Sequence, residues 1–148
     1  MMMPILKLAR LDPRAVLPDR STRGSVGYDL TTIEEATIYD GAPVLLSTGW
    51  RLGAPLPLEV ELTIRPRSSL AKNWGLFIPN APGTIDQDYT GEIKVQVARC
   101  FPGVTHLPAG TRVAQLIVSP VLLPAMVEIP MEMQEFDAER GGFGSTGL

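Results

Sequence analysis

Three observations on this chain of 148 residues predict an all-β fold. Fourteen prolines and fourteen glycines break it about every ten residues, which suits short strands joined by tight turns. Several runs alternate polar and apolar residues with the period of two that a half-buried strand requires. One segment alone carries a helix signal.

In chain order, Glu59-Val60-Glu61-Leu62-Thr63-Ile64 alternates cleanly and predicts the first clear strand. Ser69 to Gly75 lies between two strand-like runs and ends at a glycine, as short helices often do. Asn80 to Ile93 forms a hairpin, with Pro82-Gly83 and Thr90-Gly91 as turn signals on either side of Ile85-Asp86. The run Glu92 to Val97 leaves that hairpin as a strand with one buried face. Arg112 to Val118 is more continuously apolar, the pattern of a strand covered on both faces. From Met131 the chain turns acidic and irregular, and its last eight residues hold four glycines and one aromatic, Phe143. Taken alone, that segment fits a free end and a ligand-closing arm equally. The expected organisation is one β-domain over residues 1–130 and an arm over residues 131–148.

Composition excludes several function classes. A net charge of −3 and a pI near 5.1 give no global basic surface for nucleic acid or anionic membrane, so an anionic ligand must be held by local groups. The lone cysteine, Cys100, has no partner within the chain and suits a reducing compartment. The apolar start, Met1 to Leu6, is too short for a signal peptide, and the apolar stretch from Val113 to Val127 is broken by Gln115, Ser119, Pro120 and Pro124. A soluble, cytoplasmic protein with neither membrane nor nucleic-acid partner is expected.

The hairpin is the most informative stretch. A backbone folded tightly by small residues approaches a flat ligand edge-on and offers it N–H and C=O groups, while Asp86 and Tyr89 project into the same space. Four further segments narrow the ligand: Gly24 to Leu30, Pro66 to Ala71, Gly110 to Leu116, and Arg140 to Gly147. In this order and spacing, the five segments resemble the trimeric dUTP pyrophosphatase (dUTPase) family along almost the whole chain.

The resemblance implies a jelly-roll-like β-barrel of the dUTPase-like, β-clip type, with one short helix and a flexible C-terminal arm. It implies a homotrimer with active sites between subunits, each closed by the arm of a neighbour. It also implies hydrolysis of dUTP to dUMP and pyrophosphate with Mg²⁺, which keeps uracil out of DNA and supplies dUMP for dTMP synthesis. Cleavage between the α and β phosphates needs a placed water, a base and cations on the phosphates. Asp86 matches the family's catalytic base, which also contacts the sugar 3′-hydroxyl. Tyr89 matches the aromatic under the deoxyribose, filling the space of a 2′-hydroxyl. Asn80 and the backbone at Thr84, Ile85 and Lys94 match uracil-binding positions, where buried polar groups reject an ill-matched base. Arg67, Ser68 and Ser69 match the phosphate-binding segment, at a turn whose helix amides also favour anions. Gln115 matches a glutamine near the phosphates and the attacking water. Asp29 matches the motif aspartate associated with magnesium through water, since Mg²⁺ keeps several waters and is held largely by substrate phosphates. Phe143 would stack on uracil, with Gly144 beside it in the same motif, and Arg140 would meet the terminal phosphate.

Each residue also has a plainer reading from its own context. Asp86 and Asp88 read as hairpin acids bonding their own backbone, and Tyr89 as core packing. Arg67 with its serines reads as a strand end, Gln115 as a buried hydrogen bonder, Asp29 as a turn or subunit contact, and Arg112 as mainly structural. The fifth segment departs from the commoner Arg-Gly-x-Gly-Gly-Phe pattern: Arg140 stands three positions before Phe143 rather than five, with Ala138 in the fifth place. Either the arm takes a tighter path or Arg140 acts elsewhere. Lys72-Asn73-Trp74 departs similarly, where relatives often show a Lys-His pair.

Two rival functions are weighed. dCTP deaminases share the barrel and an Arg-Ser-Ser-Leu-Ala segment, but need a carboxylate on the strand after the hairpin, where this chain has Gln96. A non-catalytic nucleotide-sensing module would be signalled by loss of Asp86 or Phe143, and both are present.

Overall fold

A computed structural model describes residues 5–135. Ten strands, β1 (Leu8–Arg10), β2 (Tyr28–Thr31), β3 (Ala36–Tyr39), β4 (Val44–Leu52), β5 (Val60–Pro66), β6 (Leu76–Phe77), β7 (Gly83–Ile85), β8 (Glu92–Arg99), β9 (Val104–Leu107) and β10 (Arg112–Pro120), account for most of the regular structure among them. One helix, α1 (Leu70–Trp74), joins β5 to β6. It stops at Gly75, whose left-handed φ of +62° ends a helix without a Cβ penalty. The all-β prediction and the single short helix are both met.

The strands form two four-stranded sheets, ordered β1-β4-β8-β6 and β2-β10-β5-β7, and a two-stranded ribbon of β3 and β9. All the pairings are antiparallel. Leu46, Ile93, Val95 and Val97 from the first sheet meet Leu62, Ile64, Val113 and Leu116 from the second, with Ile38 and Leu107 of the ribbon, in one buried cluster. The strands thus pack as facing sheets; among the described residues, no hydrogen-bonded ladder closes them into a continuous barrel.

Sequence patterns account for these positions. In β8, Ile93, Val95 and Val97 face the core and Lys94 faces solvent, the predicted alternation. β10 lies between β2 and β5 with Val113, Ala114, Leu116 and Ile117 buried, as its apolar run requires. In β5, Val60, Leu62 and Ile64 point inward, and Thr63 on the other face is also covered. The irregular point is in β4. Ser47 pairs with Lys94 and Arg51 with Glu92, so β4 spends four residues where β8 spends two. Gly49 sits in that bulge at φ +75°, and a Cβ there would lie 2.7 Å from the Ala15 Cβ.

Strand β10 ends at Pro120, and the Val121 N–H, donated to the Glu59 carbonyl at 3.0 Å, ties the next residue to the sheet. Residues 121–130 then run without regular structure to one 3₁₀ turn at Met131–Met133. Their apolar side chains face outward: Leu122 is 91% and Met126 90% exposed. Among the described residues, no helix is long and apolar enough to cross a membrane.

Candidate active site

The first part of the site grows from the register of β2, β10 and β5. Gln115 of β10 pairs with Asp29 of β2 on one side and Arg65 of β5 on the other, and directly opposed residues share a face. Gln115 donates from Nε2 to the Pro66 carbonyl at 2.9 Å, tying β10 to the end of β5 just before Arg67. Gly27 is required here. A Cβ on it would lie 2.8 Å from both Cβ and Cδ of Gln115 and closer still to Oε1.

Asp29 is the electrostatic centre. Arg67 Nε meets its Oδ1 at 2.9 Å, while Arg112 Nη1 at 3.2 Å and the Ser21 hydroxyl at 3.0 Å converge on Oδ2. The carboxylate is only 14% exposed, so its field is less screened than that of a surface acid. With Nε committed to Asp29, the Arg67 terminal nitrogens are held at the cavity; one also donates to the Arg112 carbonyl at 3.4 Å. Ser21, Ser25, Val26, Gly27, Asp29, Arg67, Ser68 and Gln115 enclose about 230 Å³, and none of the hairpin residues lines that space. This arrangement suits an oxyanion, with a guanidinium fixed by a half-buried carboxylate and hydroxyls around it, while the Gln115 amide oxygen, an acceptor, suits a water or hydroxyl donor. Ser69 caps α1 without a side-chain bond, and five helical residues align few peptide dipoles, so positive charge at the cavity comes from Arg67, the cationic residue among those lining it.

The second part is the segment expected to be a hairpin, and it is not a paired one: β7 pairs with β5, where Thr84 and Ile85 lie opposite Thr63 and Leu62, whereas β8 belongs to the other sheet, so this hairpin segment is a turn-rich crossover between sheets. Asn80 folds over Gly83, its Nδ2 3.2 Å from where a Cβ would stand. Gln87 anchors the tip to the start of β5: Nε2 donates to the carbonyls of Leu58 at 2.6 Å and Val60 at 3.2 Å, and the Leu56 N–H donates to its carbonyl at 2.9 Å. Asp86 and Asp88, on either side of that anchor, are exposed. Among the described residues, neither carboxylate enters a hydrogen bond or ion pair; Asp86 shapes the turn through its carbonyl, which accepts the Tyr89 N–H at 3.1 Å. The plainer reading of Asp86 as an acid bonding its own backbone therefore fails. Tyr89 is 42% exposed, against the core-packing alternative, and its hydroxyl donates to the Glu92 carbonyl at 3.0 Å. Lys94 projects from β8 with Nζ 3.5 Å from the Glu92 carboxylate. Gln96 lies opposite Leu45 and offers an amide where a deaminase needs an acid.

The structure thus gathers Asp29, Arg67, Ser68 and Gln115 around one cavity, and Asn80, Thr84, Ile85, Asp86 and Tyr89 along one turn-rich segment. Among the described residues, no hydrogen bond or ion pair joins the two groups. Arg140, Phe143 and Gly144 lie outside the described residues. Sequence reasoning named the Gly24 to Leu30 segment but missed Ser25 within it and Ser21 before it as cavity walls, and Arg112 as a partner of Asp29; for Ser25 the bracketing glycines at 24 and 27 were the available signal. A larger concavity of about 470 Å³ along the β3–β9 ribbon, walled by Glu35, Thr37 and His106, has no convergent charged set and is not nominated. For magnesium, the donor set does not make a direct cage: both oxygens of Asp29 are taken by arginines, and no cluster of three or more His, Cys, Asp or Glu side chains occurs among the described residues.

Comparison with known proteins bears on these two groups together. The family model described as dUTPase matches residues 14–147. The deoxyuridine 5′-triphosphate nucleotidohydrolase of Clostridium acetobutylicum is 37% identical over 143 residues, covering 97% of each chain. That of a Picosynechococcus species is 40% identical over 144 residues, covering 96% of this chain and 98% of its own. Among solved structures, a mutant dUTPase of Staphylococcus bacteriophage 80alpha with dUpNHpp superposes at TM-score 0.84 and 19% identity, over 97% of this chain and 99% of that one. A mutant dUTPase of phage phi11 of S. aureus, described with a structural Mg(II) ion, superposes at TM-score 0.77 and 18% identity, over 90% and 99%.

Proposed function

The chain belongs to the dUTPase family and hydrolyses dUTP to dUMP, and on that footing we propose which residues do the work and how the site is completed. The observation that carries the assignment is the cavity in which Asp29 fixes Arg67 beside Ser68 and Gln115. This group receives the triphosphate. Arg67 and the Ser68 hydroxyl bind non-bridging oxygens, and Gln115, already held by the Pro66 carbonyl, steadies the attacking water.

Asp86 is the base. Free of backbone partners, its carboxylate takes a proton from the water as the water attacks the α-phosphorus in line, and pyrophosphate leaves. The backbone at Thr84, Ile85 and Lys94, with the Asn80 side chain, reads uracil, and the Tyr89 ring covers the sugar where ribose would carry its 2′-hydroxyl. Arg140, Phe143 and Gly144 close the site from the arm. When bound, Mg²⁺ would supply charge neutralisation on the phosphates, and Asp29 would hold it only through water. The function is that of a cytoplasmic enzyme that limits dUTP and feeds dUMP to dTMP synthesis.

We further propose a homotrimer with sites between subunits. Two observations support it. Among the described residues no hydrogen bond or ion pair joins the phosphate and hairpin groups and no hairpin residue lines the cavity, as expected if a second copy completes each site. Outward-facing Leu122, Met126 and Val127 also need a partner surface to leave water.

A product assay with Mg²⁺ on dUTP, dCTP, dTTP and UTP, each alone, tests the reading. Pyrophosphate and dUMP from dUTP alone support it. Ammonia from dCTP would overturn the interpretation of Gln96, and no turnover of any substrate would leave a binding role. Asp86→Asn should fold and bind nucleotide yet lose roughly 10²–10⁴-fold in kcat, the range for a missing general base; a near-normal rate would remove Asp86 from the mechanism.

A further inference from the structure

We infer that Gly91 and Glu92 are positioning residues for sugar discrimination: they hold the Tyr89 ring in place and tie it to the bulge of β4. The inference deepens the proposed function and rests on the reading that Tyr89 covers the deoxyribose.

Three contacts carry it. The Tyr89 ring folds back across its own turn and lies on Gly91. A Cβ at residue 91 would stand 2.6 Å from Cζ and 3.1 Å from Cε2, and closer to the hydroxyl, so no other residue lets the ring take this place. Glycine is needed there for space rather than for its φ, which is outside the left-handed region. The ring's far end is tethered as well, since the hydroxyl donates to the Glu92 carbonyl at 3.0 Å.

A tether is only as fixed as its acceptor, and the Glu92 side chain fixes this one. Its Oε1 accepts the Gly49 N–H at 2.9 Å, and its Oε2 lies 3.5 Å from both the Ser47 hydroxyl and Lys94 Nζ. The bulge gives the carboxylate this opportunity. Where β4 spends four residues against two of β8, the ladder lapses, and Glu92 satisfies an amide that would otherwise lose its partner. Next along β8, the Thr48 hydroxyl donates to the Ile93 carbonyl at 2.5 Å, a second stitch between the strands. The bulge is itself held from outside by the Leu11 N–H on the Gly49 carbonyl and the Ile33 N–H on the Ser47 carbonyl. A chain of contacts therefore runs from the packed body of the domain through Glu92 to an aromatic ring that remains 42% exposed for a ligand. Steric exclusion of a hydroxyl needs such a wall. A ring free to rotate away would admit ribose as readily as deoxyribose.

The test compares kcat/KM for dUTP with kcat/KM for UTP in Tyr89→Ala, Tyr89→Phe, Gly91→Ala, Glu92→Ala and Glu92→Gln, with thermal melts to confirm folding. Tyr89→Ala reports on the premise and should collapse the ratio. Gly91→Ala should lower it about tenfold by displacing the ring, and Glu92→Ala by a similar factor, mostly through a gain on UTP rather than a loss of kcat on dUTP. Glu92→Gln keeps an oxygen for the Gly49 amide and should restore the ratio; Tyr89→Phe keeps the ring and loses the tether, giving an intermediate value. If Tyr89→Ala collapses the ratio while Gly91→Ala and Glu92→Ala stay within about twofold of the parent, the positioning role is wrong and the sugar contact stands. If Tyr89→Ala itself leaves the ratio unchanged, the sugar contact fails and the inference falls with it. Should Gly91→Ala not fold, Tyr89→Phe and the two Glu92 variants decide.

Discussion

Gly27→Ala puts the geometry of the Arg67–Gln115 cavity under direct strain. The backbone at residue 27 lies outside the left-handed region, so alanine is conformationally acceptable and the whole cost falls on its neighbour. The new methyl would meet Gln115 at Cβ and Cδ, both 2.8 Å away, and overlap Oε1. Overpacking of this kind costs about 1–3 kcal/mol. If Gln115 swings away, its bond to the Pro66 carbonyl goes too, at about 1 kcal/mol. The sum, about 2–4 kcal/mol, corresponds to a fall in Tm of roughly 4–16 °C for a domain of this size. The melt must be run at one protein concentration, because an assembling chain has a concentration-dependent Tm. A double-mutant cycle then isolates the cause. Gln115→Ala removes Oε1 and Cδ but keeps Cβ, so Gly27→Ala should cost clearly less in that background than in the parent. Equal costs in both backgrounds, or a Gly27→Ala chain that melts and turns over dUTP like the parent, would refute the argument that residue 27 is glycine to make room for Gln115.

Other consequences can be checked separately. Arg67→Lys keeps the charge but loses the Nε bond to Asp29 and the guanidinium fork, and kcat/KM for dUTP should fall about 10–150-fold, the range of one charged hydrogen bond, with little change in Tm. Deleting residues 141–148 should cripple turnover while sedimentation still reports the same assembly; full activity in the truncated chain would remove the arm from the reaction. At the surface, hydrogen bonds from the Arg14 guanidinium and amide hold the Asp12 carboxyl down to about 2 from its ordinary 3.8. Because the folded value is the lower one, this pair favours the fold above pH 3.8 and stops doing so as the pH falls through about 2, which an NMR titration of Asp12 would show.

The parts of this fold that were legible in the sequence are those decided locally. β5, β8 and β10 announced themselves because a strand with one covered face must alternate and a central strand must not, and α1 because it runs into Gly75. The ribbon of β3 and β9 was silent, since its pairing joins residues almost seventy apart, such as Thr37 and His106, and four-residue strands carry little pattern. The open arrangement of the sheets is likewise a matter of which edges meet, not of periodicity. At the site, Arg67 and Gln115 could be named from their motif. That Asp29 grips Arg67 and Arg112 could not, because it depends on the register of three strands, and the hold of Glu92 on Gly49 depends on a bulge that nothing local in β4 signals.

The separation of the two groups of site residues within one chain has a genetic consequence. A chain broken at Arg67 keeps a sound Asp86 segment, and a chain broken at Asp86 keeps a sound Arg67 cavity. Each alone should be inert, and in the proposed trimer the two defects would complement each other. Co-expressed and assembled at random, they would pair a good cavity with a good Asp86 segment at about a quarter of the sites, if each site draws its halves from two neighbouring copies. Activity reborn from two dead alleles, and absent when both lesions share one chain beside an inert partner, would reveal sites that no single polypeptide owns.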